Sequence, residues 1–201
     1  MPGAEGERTG GIVLAAGSST RMGRNKMLLE LDGEPLVRRA VNMAAAAGLT
    51  PVICVVGFEA DRVRDALDGA PCQVVVNPDY MGPSSRSFHA GLRALPADVG
   101  TAVVILPDMV HVTADMVRAL VASSAATAAP LVVSRYGEIT APPILFRRSL
   151  FPELIAWEGE GCGKPVVKAH AHEAVQLDWP ERMLHDLDRP EDLERLQAVP
   201  E

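Results

Sequence analysis

Two cations, Arg21 and Lys26, follow a turn of small residues, Gly17-Ser18-Ser19-Thr20, with Gly23 between them. Small residues let backbone N–H groups approach a ligand closely, and successive N–H groups in such a turn form an anion-binding concavity. A concavity followed by two positive charges reads as a polyphosphate cradle. Neither the dinucleotide fingerprint G-x-G-x-x-G nor the Walker pattern G-x-x-x-x-G-K-[ST] is present at this place. On spacing alone, an ordinary βα turn with two solvated cations is the plainer alternative. Far along the chain, Asp108 follows another apolar run, Ala102-Val103-Val104-Ile105-Leu106, through Pro107. In an open parallel sheet, ligands bind beyond the carboxyl ends of the strands. Gly17 and Asp108 both stand at such an end, so they can be neighbours although distant in sequence. A carboxylate facing a triphosphate there is placed to hold Mg²⁺, which takes few carboxylates and keeps phosphate oxygens and waters as its other ligands. Capping or solvation of a βα loop is the alternative role for Asp108.

The elements that must position these residues are legible as patterns. Ile12-Val13-Leu14-Ala15-Ala16, Val52-Ile53-Cys54-Val55-Val56, Val74-Val75-Val76 and the run ending at Leu106 are continuous apolar stretches, the pattern of buried parallel strands. Leu131-Val132-Val133, Ile144-Leu145-Phe146 and the alternating Val175 and Leu177 read as further strands. A helix is expected from Pro35 to Gly48, with apolar residues at helical spacing and Gly just past its end. Others are expected around Val63–Leu67, from Phe88 to Leu95, from a Thr113 cap to about Ser123, and near 149–157 and 165–171. Residues 77–87, NPDYMGPSSRS, read as a loop. Asp188, Pro190 and Glu191 read as cap, first turn and capping box of a final helix. Capping does not explain Asp186, a second candidate for metal or acceptor positioning. Alternating strands and helices imply βαβ units. The fold class expected is α/β: a three-layer Rossmann-like nucleotide-binding architecture with a mostly parallel central sheet.

Composition narrows the partners. The chain has 201 residues, is 48% apolar and carries a formal charge of −7. One domain over 11–201 is expected, after a flexible stretch 1–10. The acidic balance gives no field for nucleic acid or an anionic membrane. Cations at the site must therefore act locally on a phosphorylated ligand. Cys54, Cys72 and Cys162 are an odd set without C-x-x-C spacing, so a reducing, cytoplasmic setting is expected. Of the five His, only His170 and His172 are close in sequence, and they do not share a helix face.

The full string L-A-A-G-x-x-x-R-M-G-x-x-K from Leu14 to Lys26 resembles the signature loop of the nucleotidyltransferases, and within these the molybdenum cofactor nucleotidyltransferases. The Ala15-Ala16-Gly17 form is similar to the cytidylyltransferase branch; guanylyltransferases usually have Gly where Ala16 stands. The resemblance extends to P-D-M at Asp108, to Ser87-Phe88-x-x-Gly91-Leu92, to the Pro142–Phe146 and Phe151–Leu154 blocks, and to the string around Asp186 and Asp188. It implies transfer of a nucleotidyl group, most readily CMP from CTP, to the phosphate of molybdopterin or its metal-loaded form, with pyrophosphate released. In that reading Leu14, Ala15, Ala16 and Gly17 hold base and ribose through their backbone. Arg21 and Lys26 hold the triphosphate, Asp108 holds Mg²⁺ with Asp186 as second acid, and Asn77, Ser84 and Ser85 contact the nucleotide. The Ala16 methyl would disfavour a larger purine by overlap. Lys164 stands roughly where relatives carry an Arg near the acceptor, and Arg86 is an addition that meets an acceptor phosphate or solvent. A molybdenum hydroxylase apoenzyme is the implied downstream partner. The alternatives are a sugar phosphate as acceptor, an NAD(P)H-dependent oxidoreductase, and a non-catalytic cofactor-binding accessory protein.

Overall fold

Runs of consecutive apolar residues build the middle of the sheet, because strands covered on both faces need no polar side. The computed structural model describes residues 8–18, 23–187 and 192. In chain order its elements are β1 (Arg8–Ala15), β2 (Glu30–Leu31), β3 (Glu34–Pro35), α1 (Leu36–Ala46), β4 (Val52–Val56), α2 (Ala60–Ala66), β5 (Gln73–Val76) and α3 (Ser85–Ala94). There follow β6 (Val99–Ile105), α4 (Ala114–Ala126), β7 (Leu131–Tyr136), β8 (Ile139–Arg147), α5 (Phe151–Ala156), α6 (Lys164–Ala169) and β9 (Val175–Trp179). The main sheet has the order β5-β4-β1-β6-β8-β7-β9 among the described residues. Only β8 runs antiparallel to its neighbours; the β1 pairs with β4 and β6, and the β4–β5 and β7–β9 pairs, are parallel. This is the expected three-layer α/β architecture. Every residue of β4 and β6 is buried, as continuous apolar runs require.

Alternation along the strands divides the core in two. Val13, Ala15, Val52, Cys54, Val56, Val103 and Ile105 face the layer of α1, α2 and α4. Ile12, Ile53, Val55, Ala102 and Val104 face the layer of α3, α5 and α6. The period of 2 does this without any further signal.

Two boundaries differ from expectation. The first strand begins at Arg8, inside the stretch expected to be flexible. Thr9 is held there by Thr50 N–H to its carbonyl at 2.8 Å and by a Thr101 hydroxyl at 2.8 Å. Strand pairing, which needs no apolar side chain, extends β1 beyond the apolar run. Second, α3 starts at Ser85, so Ser85, Arg86 and Ser87 belong to a helix and not to the 77–87 loop. The Ser84 and Ser85 hydroxyls, which could have competed for this helix's own amides, bond elsewhere (below). Residues 1–7 and the final helix expected after Asp188 lie outside the described residues, Asp192 excepted.

Gly91 is required by close approach. A Cβ there would lie 2.5 Å from Cγ2 of Ile12 and 3.3 Å from Cγ2 of Val55, both in strands that α3 covers. Gly91→Ala should gain about 1 kcal/mol of helix propensity and lose more, about 1–3 kcal/mol, to overpacking. A urea midpoint lower than wild type at unchanged m checks this.

In the same layer, His170 pairs with Glu153 of α5 at 2.8 Å and with Glu173 at 3.0 Å. These bonds, Glu153 first, raise the His170 pKa above its ordinary value. A group whose pKa is raised on folding stabilises fully below its unfolded pKa, and loses that contribution as pH rises through the folded one. His170→Gln should therefore lower the melting temperature at pH 5.5 and make little difference at pH 8.5.

Candidate active site

Lys26 is positioned from both sides. Asn25, 4% exposed, caps the 3₁₀ turn Lys26–Leu28 by accepting from Met27 N–H at 3.0 Å, and its Nδ2 donates to the Phe58 carbonyl at 3.1 Å. Met27 is buried in the α1 layer. Lys26 is therefore not on a solvent-facing loop. Its ammonium pairs with the carboxylate of Asp108, and the two side chains are 17% and 14% exposed. Sequence spacing had no means to show Asn25, because its role is a contact across the fold with the segment after β4.

Asp108 stands just beyond the carboxyl end of β6, where Met109 N–H returns to the Leu106 carbonyl at 3.2 Å. The C-terminal segment closes on this turn. Leu187 N–H donates to the Asp108 carbonyl at 3.1 Å, and Asp186 pairs with Met109 as an antiparallel bridge. Leu187, 1% exposed, joins a small cluster with Leu29, Leu31 and Leu36. Burial of Leu187 thus sets the position of Asp186 beside the Asp108 turn. Burial pushes the Tyr136 phenol up to about 12, with a Ser134 hydrogen bond opposing and the negative charge of Asp186 adding.

The fold brings other groups to this end. Burial pushes the Cys162 thiol up to about 12, with the negative charge of Asp108 adding and Lys164 opposing. Cys162 is therefore a thiol at neutral pH and not a nucleophile. His111 and His185, distant in sequence, meet edge to face with ring centroids 6.1 Å apart, a pair that sequence spacing did not bring out. Desolvation, then His185, lowers the His111 pKa.

The nucleotide-contact candidates are placed less uniformly. Leu14 is half-buried, Ala15 is buried in the α1-side layer, and a Cβ on Gly17 would meet none of the described residues within 4 Å. Ala16 is 4% exposed and packs in the α3-side layer, while its carbonyl accepts from Phe58 N–H at 3.1 Å. Its methyl faces the core, which does not fit the expected overlap with a purine. Asn77 is buried; its Nδ2 donates to Ser87 Oγ at 2.9 Å and its Oδ1 accepts from Asp79 N–H at 3.0 Å. Ser84 and Ser85 accept from backbone amides of Gly161 and Gly159. These three side chains thus have protein partners where nucleotide contact was expected. Arg86, an exposed side chain, meets Glu158 at 2.9 Å and Asp79 at 3.9 Å. Arg21 and Asp188 lie outside the described residues.

Whether the residues fit a divalent cation can be read from the Lys26 contact. The Asp108 carboxylate is aimed so that a cationic group sits on it. Among the described residues no group of three or more His, Cys, Asp or Glu could hold a metal ion. One or two carboxylates without a full protein cage suit a Mg²⁺-type ion completed by phosphate oxygens and water. The Asp108 carboxylate can thus take a divalent ion, and the Lys26 ammonium phosphate oxygens, once the two groups part.

The MobA-like NTP transferase domain matches residues 11–175. Among curated proteins, the Bifunctional protein GlmU of Kineococcus radiotolerans is 37% identical over 119 residues, covering 57% of this chain and 24% of that protein. That of Leifsonia xyli is 34% identical over 140 residues, 64% of this chain and 29% of that protein. The chain spans about a quarter of the length of these relatives. Among solved structures, Rv0371c of Mycobacterium tuberculosis is 26% identical with a TM-score of 0.84, covering 96% of this chain and 98% of that one. Its manganese complex is 27% identical with a TM-score of 0.75, covering 96% of this chain and 100% of that one. A nucleotidyl transferase from Methanothermobacter, 21% identical with a TM-score of 0.79 over 95% of this chain and 96% of that one, shares the fold. Among the described residues no helix is long and apolar enough to cross a membrane.

Proposed function

The chain belongs to the MobA-like NTP transferase domain family, and on that footing we propose that it moves a nucleotidyl group from a nucleoside triphosphate to a phosphorylated acceptor, releasing pyrophosphate. The observation that carries this reading is the Lys26–Asp108 pair at the carboxyl end of the sheet. Here the chain offers one cation for phosphate oxygens and one carboxylate for a divalent ion. Arg21, from the loop resemblance, is the second cation. The acceptor phosphate oxygen attacks the α-phosphorus, the bond to the bridging oxygen breaks, and pyrophosphate leaves. The attacking oxygen is already ionised at neutral pH, so no strong general base is needed. Lys26 and Arg21 neutralise charge on the leaving phosphates, and the work is positioning and electrostatics. Asp108, assisted by Asp186, would hold a divalent ion, which when bound would supply charge neutralisation to the phosphates. Mg²⁺ is the ion proposed, and the manganese complex of the M. tuberculosis relative supports a divalent metal in this fold.

The nucleotide proposed is CTP, on the Leu14–Gly17 form, with these residues contributing backbone groups. The acceptor proposed is a molybdopterin-type phosphate, with delivery to a molybdenum hydroxylase apoenzyme. The curated relatives are GlmU proteins, so sugar phosphates are tested beside it. Pyrophosphate release is measured with CTP, GTP, ATP and UTP, each with Mg²⁺ or Mn²⁺ and with either acceptor. The expected result is release that requires metal and acceptor and is fastest with CTP and molybdopterin. Turnover only with a sugar phosphate would replace the acceptor. A chain stabilised by NADPH, and by no triphosphate, in thermal shift would overturn the transferase reading.

A further inference from the structure

Ser84, Ser85 and Arg86 are consecutive, and each reaches the loop from Glu158 to Gly163. Gly161 N–H donates to Ser84 Oγ at 2.8 Å. Gly159 N–H donates to Ser85 Oγ at 3.1 Å, and Ser85 N–H returns a bond to the Gly159 carbonyl at 3.1 Å. Arg86 donates through Nε and Nη2 to one carboxylate oxygen of Glu158, at 3.0 and 2.9 Å. The loop they hold is rich in glycine, with φ of +94° at Gly161 and +74° at Gly163. Such a backbone has many accessible states, so its shape must be imposed by outside contacts. Gly163 seats the loop on α5, since a Cβ there would lie 2.5 Å from Leu154 Cδ2. Between the clasped residues and this seat lies Cys162, which packs against the core on the α3 side, and Lys164 opens α6 directly after the loop. Because α3 opens after β5, the clasped loop lies at the carboxyl end of the parallel strands, the end at which Asp108 follows β6, on the α3 side of the sheet.

We infer that Ser84, Ser85 and Arg86 form a clasp that holds the 158–163 loop at the carboxyl end of the sheet, the end where Asp108 stands. They are positioning residues for the transfer reaction, acting through this loop and not by contact with the nucleotide. The effect on turnover rests on the transferase reading above; the clasp itself does not.

Cys162 is a built-in reporter of the loop, because local opening exposes its thiol to reagent. Its alkylation by iodoacetamide is followed by mass spectrometry, with Cys72 as internal reference. Ser84 and Arg86 are exposed, so the variant Ser84→Ala/Arg86→Gln should keep the wild-type melting temperature within a few degrees. In it, Cys162 should react at least about fivefold faster, as expected when hydrogen bonds of ordinary strength are lost, with Cys72 unchanged. Ser84→Thr, which keeps the hydroxyl, should react like wild type. Nucleoside triphosphate dissociation constants should change by less than about threefold, while pyrophosphate release at saturating nucleotide falls by more than about threefold. Unchanged Cys162 alkylation would overturn the clasp. A larger loss of nucleotide affinity would show direct contact and overturn action through the loop, and faster alkylation with unchanged turnover would overturn the positioning role. A wild type that binds no triphosphate would sink the transferase reading and with it the positioning role, while alkylation still decides the clasp.

Discussion

Asp108→Asn should abolish metal-dependent pyrophosphate release, a loss of at least about a hundredfold, or about 2.7 kcal/mol of transition-state stabilisation. The substitution keeps the size of the side chain and removes the charge that a divalent ion needs. Its backbone work should survive, because the Asp108 carbonyl still accepts from Leu187 N–H. Folding and metal-free nucleotide binding are therefore expected to persist. The measurement is pyrophosphate release across a Mg²⁺ titration, with nucleotide affinity measured separately in EDTA. If mutant and wild type give the same titration, Asp108 is not the ligand, and Asp186, bridged to Met109 next to it, becomes the first residue to replace.

The second large effect is Lys26→Ala. Removing the ammonium should cut kcat/KM at least tenfold, about 1.4 kcal/mol, by loss of charge on the phosphates. The structure adds a consequence for stability. Lys26 and Asp108 are mostly buried, so the alanine variant leaves a carboxylate without this cation. A buried charge that loses its partner is destabilising, here by about 1–3 kcal/mol. Lys26→Ala should thus be less stable without metal and regain stability when Mg²⁺ is added, since the ion replaces the lost charge. The double variant Lys26→Ala/Asp108→Asn should be more stable than Lys26→Ala alone, because it removes both members of the pair. Residues in contact couple in this way, and distant ones do not. Equal turnover in Lys26→Ala and wild type would mean that Lys26 serves Asp108 and not the phosphates.

By itself the sequence determined the layers and most of the elements. Continuous apolar runs in β1, β4 and β6, separated by helical periodicity, leave a mostly parallel sheet as the way to bury both faces. The same reading put Gly17 and Asp108 at one end, because strand ends follow from strand direction. It also marked Lys26 as a candidate, though not what the ammonium touches. That pairing depends on Asn25 binding across to Phe58, and on Met27 entering the core. Only the tertiary structure decided where Asp186 lies, since Leu187 must find Leu29, Leu31 and Leu36 before the C-terminal segment can close on the Asp108 turn. It likewise decided that Ser84 and Ser85 bind the amides of a glycine loop more than seventy positions away. A hydroxyl's partner is not encoded in local periodicity. Small polar residues carry no burial pattern, so their contacts are settled only when the packing of the apolar residues brings two loops together.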